Sequence, residues 1–344
     1  MKLVSIFYST KPCPLRHEGF QTTNIDGALN LTPTRIPDWF AIMKYRYRLA
    51  RTIISSRIIR QKYLSSIFRR LLQVPRCENI ENEAYIIDNF YGFKFYGELQ
   101  SLIEWEVYFF GTYDRHGLEL TKKILMHLDK PVCLDIGANV GVYSLFMSTF
   151  ASRIYSYEPL PRNYTILHKN VVLNHLTNID IHTYGLSNED KVDYFYVNKD
   201  FNYGAGSFDA AHQDVSDKSE IMLQLKIGDN ELSECKKIDF IKMDIEGFEY
   251  QAIQGLQNTL VKHRPILMME YNKVTRKKFD SYDNMLASFP EDYEIVATEL
   301  YKYPNVKRIF DTEYLRLAPF DFQKNYDHII IYPKERQLQK MLAD

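Results

Sequence analysis

The chain has 344 residues, 45% of them hydrophobic and 25% charged, with a net charge of −1. That length can bury a sizeable core and suits one domain plus an extension, and the near-neutral balance gives no general reason to expect nucleic acid as a partner. Four cysteines, at 13, 77, 133 and 235, show neither a C-x-x-C pair nor metal-ligand spacing, a usage that fits a reducing, cytoplasmic setting.

Residues 1–38 are punctuated by Pro12, Pro14, Gly19, Gly27, Pro33 and Pro37 and read as irregular. The apolar run Leu3–Tyr8 is too short for a secretory leader, and no later run approaches the roughly 18 apolar residues of a membrane span. Trp39–Gln73 differs in character, with nine Lys or Arg and no Asp or Glu. Its apolar residues Ala50, Ile54, Ile58, Leu64, Phe68 and Leu72 follow a rough helical stripe. A basic amphipathic helix can pack on its own domain or in a homodimer, lie peripherally on an anionic membrane, or touch nucleic acid. Arg57 and Arg60 fall at the flanks of the apolar face, which favours the first of these. The expected organisation is an extension over 1–80, with the basic helix at about 39–73, and a main domain over 81–344.

Ala84–Asp88 and Phe93–Tyr96, separated by Tyr91-Gly92, predict a hairpin. His116–Leu128 predicts a helix. Then comes Val132-Cys-Leu-Asp-Ile-Gly-Ala-Asn-Val-Gly-Val-Tyr-Ser-Leu145, a buried strand, a glycine-bearing turn and a helix. The next apolar run ends in Glu158, whose carboxylate can accept hydrogen bonds from ribose hydroxyls. This is how a nucleoside-containing cofactor is held on an open parallel sheet. A dinucleotide fingerprint reads G-x-G-x-x-G. Here the spacing is Asp135-x-Gly137-x-Asn139-x-Gly141, and Asp135 would repel a pyrophosphate. The cationic sulfonium and amino group of S-adenosylmethionine fit that charge better.

Pro159-Leu-Pro161 opens a helix carrying Asn170 and Asn174. Ile179–Tyr184 predicts the third strand, ended by Gly185, and Val192–Val197 and Ile221–Ile227 predict a pair. Between them, Asn202–Phe208 is a candidate lip over the substrate. Ile238-Asp-Phe-Ile-Lys-Met-Asp-Ile-Glu-Gly-Phe-Glu-Tyr250 predicts a strand ending in Asp244 and Glu246, a turn at Gly247, and a helix with Phe248, Ala252, Leu256 and Leu260 inward. Ligands bind outside the carboxyl ends of such strands, so this end and the loop after Ile136 should face one crevice. Further strands are expected at Ile266–Glu270, Tyr293–Thr298 and His328–Tyr332, the last two as an antiparallel edge pair.

The D-I-G-A-N-V-G turn, Tyr157-Glu-Pro159, the N-V-V-L-N run with Asn170 and Asn174, and I-D-F-I-K-M-D-I-E-G-F-E together resemble the FkbM-type family of S-adenosylmethionine-dependent methyltransferases. The resemblance covers roughly residues 83–333. It implies an α/β fold, the Rossmann-like class I methyltransferase with a mostly parallel seven-stranded sheet. It also implies methyl transfer to a hydroxyl of a sugar, a glycan or a small metabolite. Two departures lie on the substrate side: Gly111-Thr-Tyr-Asp114 has Asp where the family pattern has Glu, and Lys226-Ile-Gly-Asp229 is an unusual version of its segment.

For the cofactor, Gly137, Asn139 and Gly141 are expected around the methionine part, Glu158 at the ribose, and Asp135 at the loop or the amino group. Asn170 and Asn174 are further candidates. For the chemistry, Lys242, Asp244 and Glu246 would share one side of an extended strand, and ionisable groups there are costly unless they pair or work. Asp244 could accept or orient the acceptor hydroxyl. Alternatively, Asp244 and Glu246, with Glu270, could ligate Mg²⁺. A third reading pairs Lys242 with Glu246 and sets Asp244 against the methionine moiety. Histidines 168, 175, 182 and 212 qualify as bases by type alone. Two other functions stay open: a nicotinamide-dependent oxidoreductase, and a non-catalytic scaffold docking at a membrane complex through the basic helix.

Overall fold

Five short apolar runs pair in parallel to make the centre of the sheet that carries the site. The computed structural model describes residues 47–49, 51–52, 80, 83–198, 206, 218–302 and 313–342, all within the unit Lys44–Asp344. The elements in chain order are β1 (Ala84–Phe90), β2 (Phe93–Glu98), α1 (Leu102–Phe110), α2 (Arg115–Met126), β3 (Val132–Ile136), α3 (Val142–Met147), β4 (Arg153–Tyr157) and α4 (Pro161–Leu173). They continue with β5 (Ile179–His182), β6 (Gly185–Ser187), β7 (Lys191–Asn198), β8 (Lys218–Ile227), β9 (Phe240–Met243), α5 (Glu249–Gln254), α6 (Gln257–His263), β10 (Ile266–Tyr271) and α7 (Lys273–Phe279). The closing strands are β11 (Tyr293–Lys302), β12 (Glu313–Pro319) and β13 (Tyr326–Pro333).

The main sheet runs β12-β11-β13-β10-β9-β3-β4-β5. Strands β10, β9, β3, β4 and β5 are parallel, and β13 enters antiparallel between β10 and β11. The α/β class is as expected, with eight strands where seven were expected. The expected pair β11 and β13 does form, but β12 adds outside it with Val296 opposite Pro319 and Lys302 opposite Glu313. Burial on both faces explains why the central strands read as mostly apolar runs, with Lys242 the exception in β9: Phe240, Ile241, Met243, Ile266, Leu267, Met268 and Met269 are each fully buried.

The expected third strand stops earlier than its apolar pattern. It ends at His182, and Gly185–Ser187 opens a separate three-stranded sheet of order β6-β8-β7. The long helix expected after Gly247 is broken at Gly255 into α5 and α6, although Phe248, Ala252, Leu256 and Leu260 all face the core as the spacing required. The β1–β2 hairpin forms as expected and lies against α4.

Most of the expected basic helix, the Asn202–Phe208 lip except Gly206, and His212 lie outside the described residues. Residues 47–49 and 51–52 are helical; the Tyr47 ring meets Phe109 edge-on at 6.2 Å, and the Arg51 guanidinium lies 5.4 Å from the Tyr108 ring centre. Among the described residues no helix is long and apolar enough to cross a membrane.

Candidate active site

The sheet order reverses between β3 and β9, and a crevice opens at their carboxyl ends, where α/β folds of this kind take their ligands. Two loops make its floor. After β3, Gly137 has φ +82° and leaves no room for a Cβ, which would overlap the Asp244 carbonyl oxygen. After β9, the Asp244 amide donates to the Ile136 carbonyl at 3.0 Å. The loops therefore touch backbone to backbone.

Asn139 adopts the left-handed conformation, which Asn tolerates better than most residues. Its amide donates to Glu158 Oε2 at 2.8 Å, while the Leu160 amide donates to Glu158 Oε1 at 2.9 Å. The Glu158 carboxylate thus ties the cofactor loop to the loop after β4 and still lines the crevice. Burial pushes its carboxyl up to about 7 against these two bonds. Asp135 lies deeper, bonded to Ser144, which also meets Ser156 at 2.8 Å. Burial raises Asp135 to about 6.

At the other end Lys242 is fully buried, and its ammonium donates to Asp244 Oδ2 at 3.2 Å. Burial opposes its charge, yet Asp244, Asp114 and Asp135 outweigh that and raise its pKa. Asp244 is half-buried and faces the crevice with Tyr113 beside it. The expected single-sided ladder of Lys242, Asp244 and Glu246 does not form, because the strand ends at Met243 and Glu246 turns to φ +55°. Lys242 consequently pairs with Asp244 and not with Glu246, which stays exposed at the crevice mouth.

The acidic turn is held by a residue the sequence reading passed over. Glu249, fully buried at the start of α5, accepts from the Ile245 amide at 3.1 Å and the Gly247 amide at 3.2 Å, and its other oxygen accepts from Thr275 at 2.8 Å. The signal was present in I-E-G-F-E: a carboxylate two residues after a glycine turn can fill the concavity of backbone N–H groups.

Three expected cofactor residues are placed elsewhere. Asn170 is buried on α4; its Oδ1 accepts from the Tyr96 amide at 2.7 Å, and its Nδ2 donates to the Tyr96 carbonyl at 3.1 Å and the Val140 carbonyl at 3.0 Å. Asn174 does the same one turn later with Lys94, at 2.8 Å and 2.7 Å. Both side chains clip the β1–β2 hairpin to α4, and Asn170 also holds the Val140 carbonyl at the end of the loop after β3. Gly141 turns the chain into α3 at φ +93°, packed on Leu167, and its place is in that packing and not in the crevice wall. Of the candidate histidines, His168 is exposed on α4, and His182 stacks on Tyr157 at 4.6 Å; neither it nor His175 lines the crevice.

The rest of the wall is apolar: Leu160, Leu186, Phe195, Leu223 and Leu225 flank Glu158, with Asn163 from α4 beside them. Alternation along β7 and β8 signalled which side chains point inward, but not that they face the crevice. Among the described lining residues the basic group is Lys242, against the carboxylates of Asp135, Glu158, Asp244 and Glu246. Such a set of acceptors suits a ligand that carries hydroxyls and a positive charge along an apolar wall. Among the described residues no group of three or more His, Cys, Asp or Glu is placed to hold a metal ion.

With this geometry in place, the likeness to known proteins is informative. The family model for the methyltransferase FkbM domain matches residues 135–295. Over that span, a little under half of the chain, the protein is similar to FkbM methyltransferase domains. The matched span begins at Asp135 and takes in the loop after β3, Glu158, the Lys242–Asp244 pair and Glu249, so every polar element of the crevice except Tyr113 lies inside it. Methyltransferase 1 of Beauveria bassiana (strain ARSEF 2860) is 25% identical, the match covering 38% of this chain and 60% of that one. The chain thus spans about three fifths of the curated relative it matches. Among solved structures, a methyltransferase FkbM from Methylobacillus flagellatus KT aligns over 86% of this chain and 61% of its own, at 16% identity and a TM-score of 0.38. An S-adenosylmethionine-dependent methyltransferase from Agrobacterium tumefaciens aligns over 74% and 72%, at 10% identity and a TM-score of 0.42.

Proposed function

We propose that this protein is an S-adenosylmethionine-dependent O-methyltransferase acting on a hydroxyl of a sugar, a glycan or a small metabolite. One observation carries the reading: a crevice lined by the carboxyl groups of Asp135, Glu158, Asp244 and Glu246, the last pushed up to about 9 by burial and by Asp244, with a single, already paired ammonium. It would repel a pyrophosphate, which argues against a nicotinamide dinucleotide, and it favours a cationic sulfonium. The FkbM domain over residues 135–295 supports the same choice.

The residues fit the cofactor by their chemistry. Glu158 offers carboxylate acceptors to ribose hydroxyls beside the apolar wall of Leu160, Leu186 and Leu225, and Gly137 lets the two floor loops meet where a Cβ would strike the Asp244 carbonyl oxygen. The bound cofactor supplies an electrophilic methyl group on a positively charged sulfur. Asp244 is the group at the reacting end. It accepts a hydrogen bond from the acceptor hydroxyl, orients the oxygen and takes its proton as the new oxygen–carbon bond forms. Lys242 donates to Asp244 and keeps its carboxylate aimed, and Glu246 at the mouth binds further hydroxyls of the acceptor. The proton leaves Asp244 through the solvent that reaches its exposed side.

The test is incubation with labelled methyl donor and fractionated cell extract, followed by identification of the labelled fraction. Wild-type protein should label a hydroxyl-bearing compound, and Asp244→Asn should lower the rate by about 10²-fold or more with the fold intact, the scale of a lost proton acceptor. Tight NAD binding with no affinity for S-adenosylmethionine would refute the reading, and full activity of Asp244→Asn would remove Asp244 from it.

A further inference from the structure

A cluster just behind the crevice is not absorbed by this scheme. Asp114 caps α2 from a left-handed backbone, its Oδ1 accepting from the Gly117 amide at 3.2 Å. Its Oδ2 receives both the Tyr143 hydroxyl and His328 Nε2. The three groups meet so closely that a Cβ on Gly117 would overlap the Tyr143 oxygen, the Asp114 carboxylate and the His328 ring, and this is why the first turn of α2 carries a glycine. His328 is buried on β13, where Thr298 bonds its carbonyl at 2.6 Å. Three distant segments are fastened here: the turn before α2, the helix after the cofactor loop and the antiparallel strand.

Tyr143 connects this cluster to the reacting end. Its ring lines the crevice, and the Lys242 ammonium rests 4.8 Å from the ring centre. A cation over an aromatic face is held by the ring's quadrupole, and the more so when water is excluded. Lys242 in turn donates to Asp244. Burial works against the Asp114 charge, but His328 and the Tyr143 hydroxyl outweigh it and hold the carboxyl below its ordinary value. Asp114 is thus an anion that holds the hydroxyl edge of the Tyr143 ring, while Lys242 lies over its face.

We infer that Asp114, with His328 behind it, is a positioning residue for the reacting end, acting through the Tyr143 ring on Lys242 and so on Asp244. The inference rests on the reading of Asp244 given above. It makes no demand on the strand–turn–helix loop itself. Removing the Tyr143 hydroxyl would free the ring to tilt, unseat the ammonium and let the Asp244 carboxylate swing, with the fold retained.

Calorimetric titration with S-adenosylmethionine, in a double-mutant cycle of Tyr143→Phe with Asp244→Asn, tests this on the full chain. Tyr143→Phe keeps the ring and its packing, so it folds even if Asp114→Asn does not. Tyr143→Phe should weaken binding about fivefold to tenfold in the wild-type background and less than twofold in the Asp244→Asn background. Asp114→Asn, where it folds, should follow the same pattern. Equal losses in both backgrounds would make the cluster a local brace and overturn the inference, as would unchanged binding in both. Failure of the wild-type protein to bind S-adenosylmethionine would instead overturn the proposed function, and this inference with it.

Discussion

Gly137 and the Asp244 carbonyl oxygen stand so close that no side chain fits between them. The loops after β3 and after β9 are therefore one surface, set by a backbone contact. Gly137→Ala would meet main chain, which cannot rotate away, at a φ of +82° that alone costs on the order of 1–3 kcal/mol. A loss of about 2 kcal/mol or more in urea unfolding, with S-adenosylmethionine binding weakened at least about tenfold, is expected. Wild-type affinity in Gly137→Ala would show that the two loops are independent.

Glu158 carries a pH signature. Its folded pKa, about 7, lies above the ordinary carboxyl value, so the folded state holds the proton more tightly. The stability it contributes is full below about 4.5 and lost as pH rises through about 7. Ligand binding runs the other way, because ribose hydroxyls donate best to the ionised carboxylate. S-adenosylmethionine affinity should therefore climb between pH 6 and pH 8, and Glu158→Gln should flatten that dependence and weaken binding roughly tenfold to a hundredfold. Titrations at three pH values would decide it; a flat wild-type profile sinks the assignment.

Glu249 should behave as a structural acid. Glu249→Ala leaves the Ile245 and Gly247 amides and the Thr275 hydroxyl without their acceptor in a buried place, at about 2–4 kcal/mol of stability. Glu249→Gln keeps a carbonyl acceptor and should cost less than half as much. Chemical denaturation of the two variants checks the order.

Asn170 and Asn174 offer the opposite outcome. Asn170→Ala removes two hydrogen bonds that pin the β1–β2 hairpin and a third to the Val140 carbonyl, so unfolding free energy should fall by about 2–3 kcal/mol while S-adenosylmethionine affinity changes less than about threefold. A large affinity loss with stability unchanged would return Asn170 to the crevice.

What the sequence revealed follows from where local rules suffice. The strand–turn–helix around Asp135–Gly141, the acidic end of β4 and the apolar run into Asp244 are each decided by neighbours in the chain, and the fold class followed from their alternation. Strand β12 was missed because residues 313–319 (Glu-Tyr-Leu-Arg-Leu-Ala-Pro) alternate weakly and end in proline. The side-chain ladder on β9 failed because a positive φ at Glu246 breaks the two-residue period on which it rested. Asn170 and Asn174 were correctly placed on one helix face, yet a shared face does not say what it meets, and the hairpin lies 74–80 residues away in sequence. Asp114 stood out as a departure from the family pattern, but its contact with His328, 214 residues away, left no local trace.

One wall of the crevice rides on the β6-β8-β7 sheet, which among the described residues shares no strand pairing with the main one. The gap between Phe195 or Leu223 and the cofactor floor is therefore a compliant dimension, adjustable by sliding side chains without opening a single ladder bond of the central strands. Amide protons of Lys191–Asn198 should exchange readily in the empty protein and slow when the slot is filled, while those of β3 and β9 stay protected throughout.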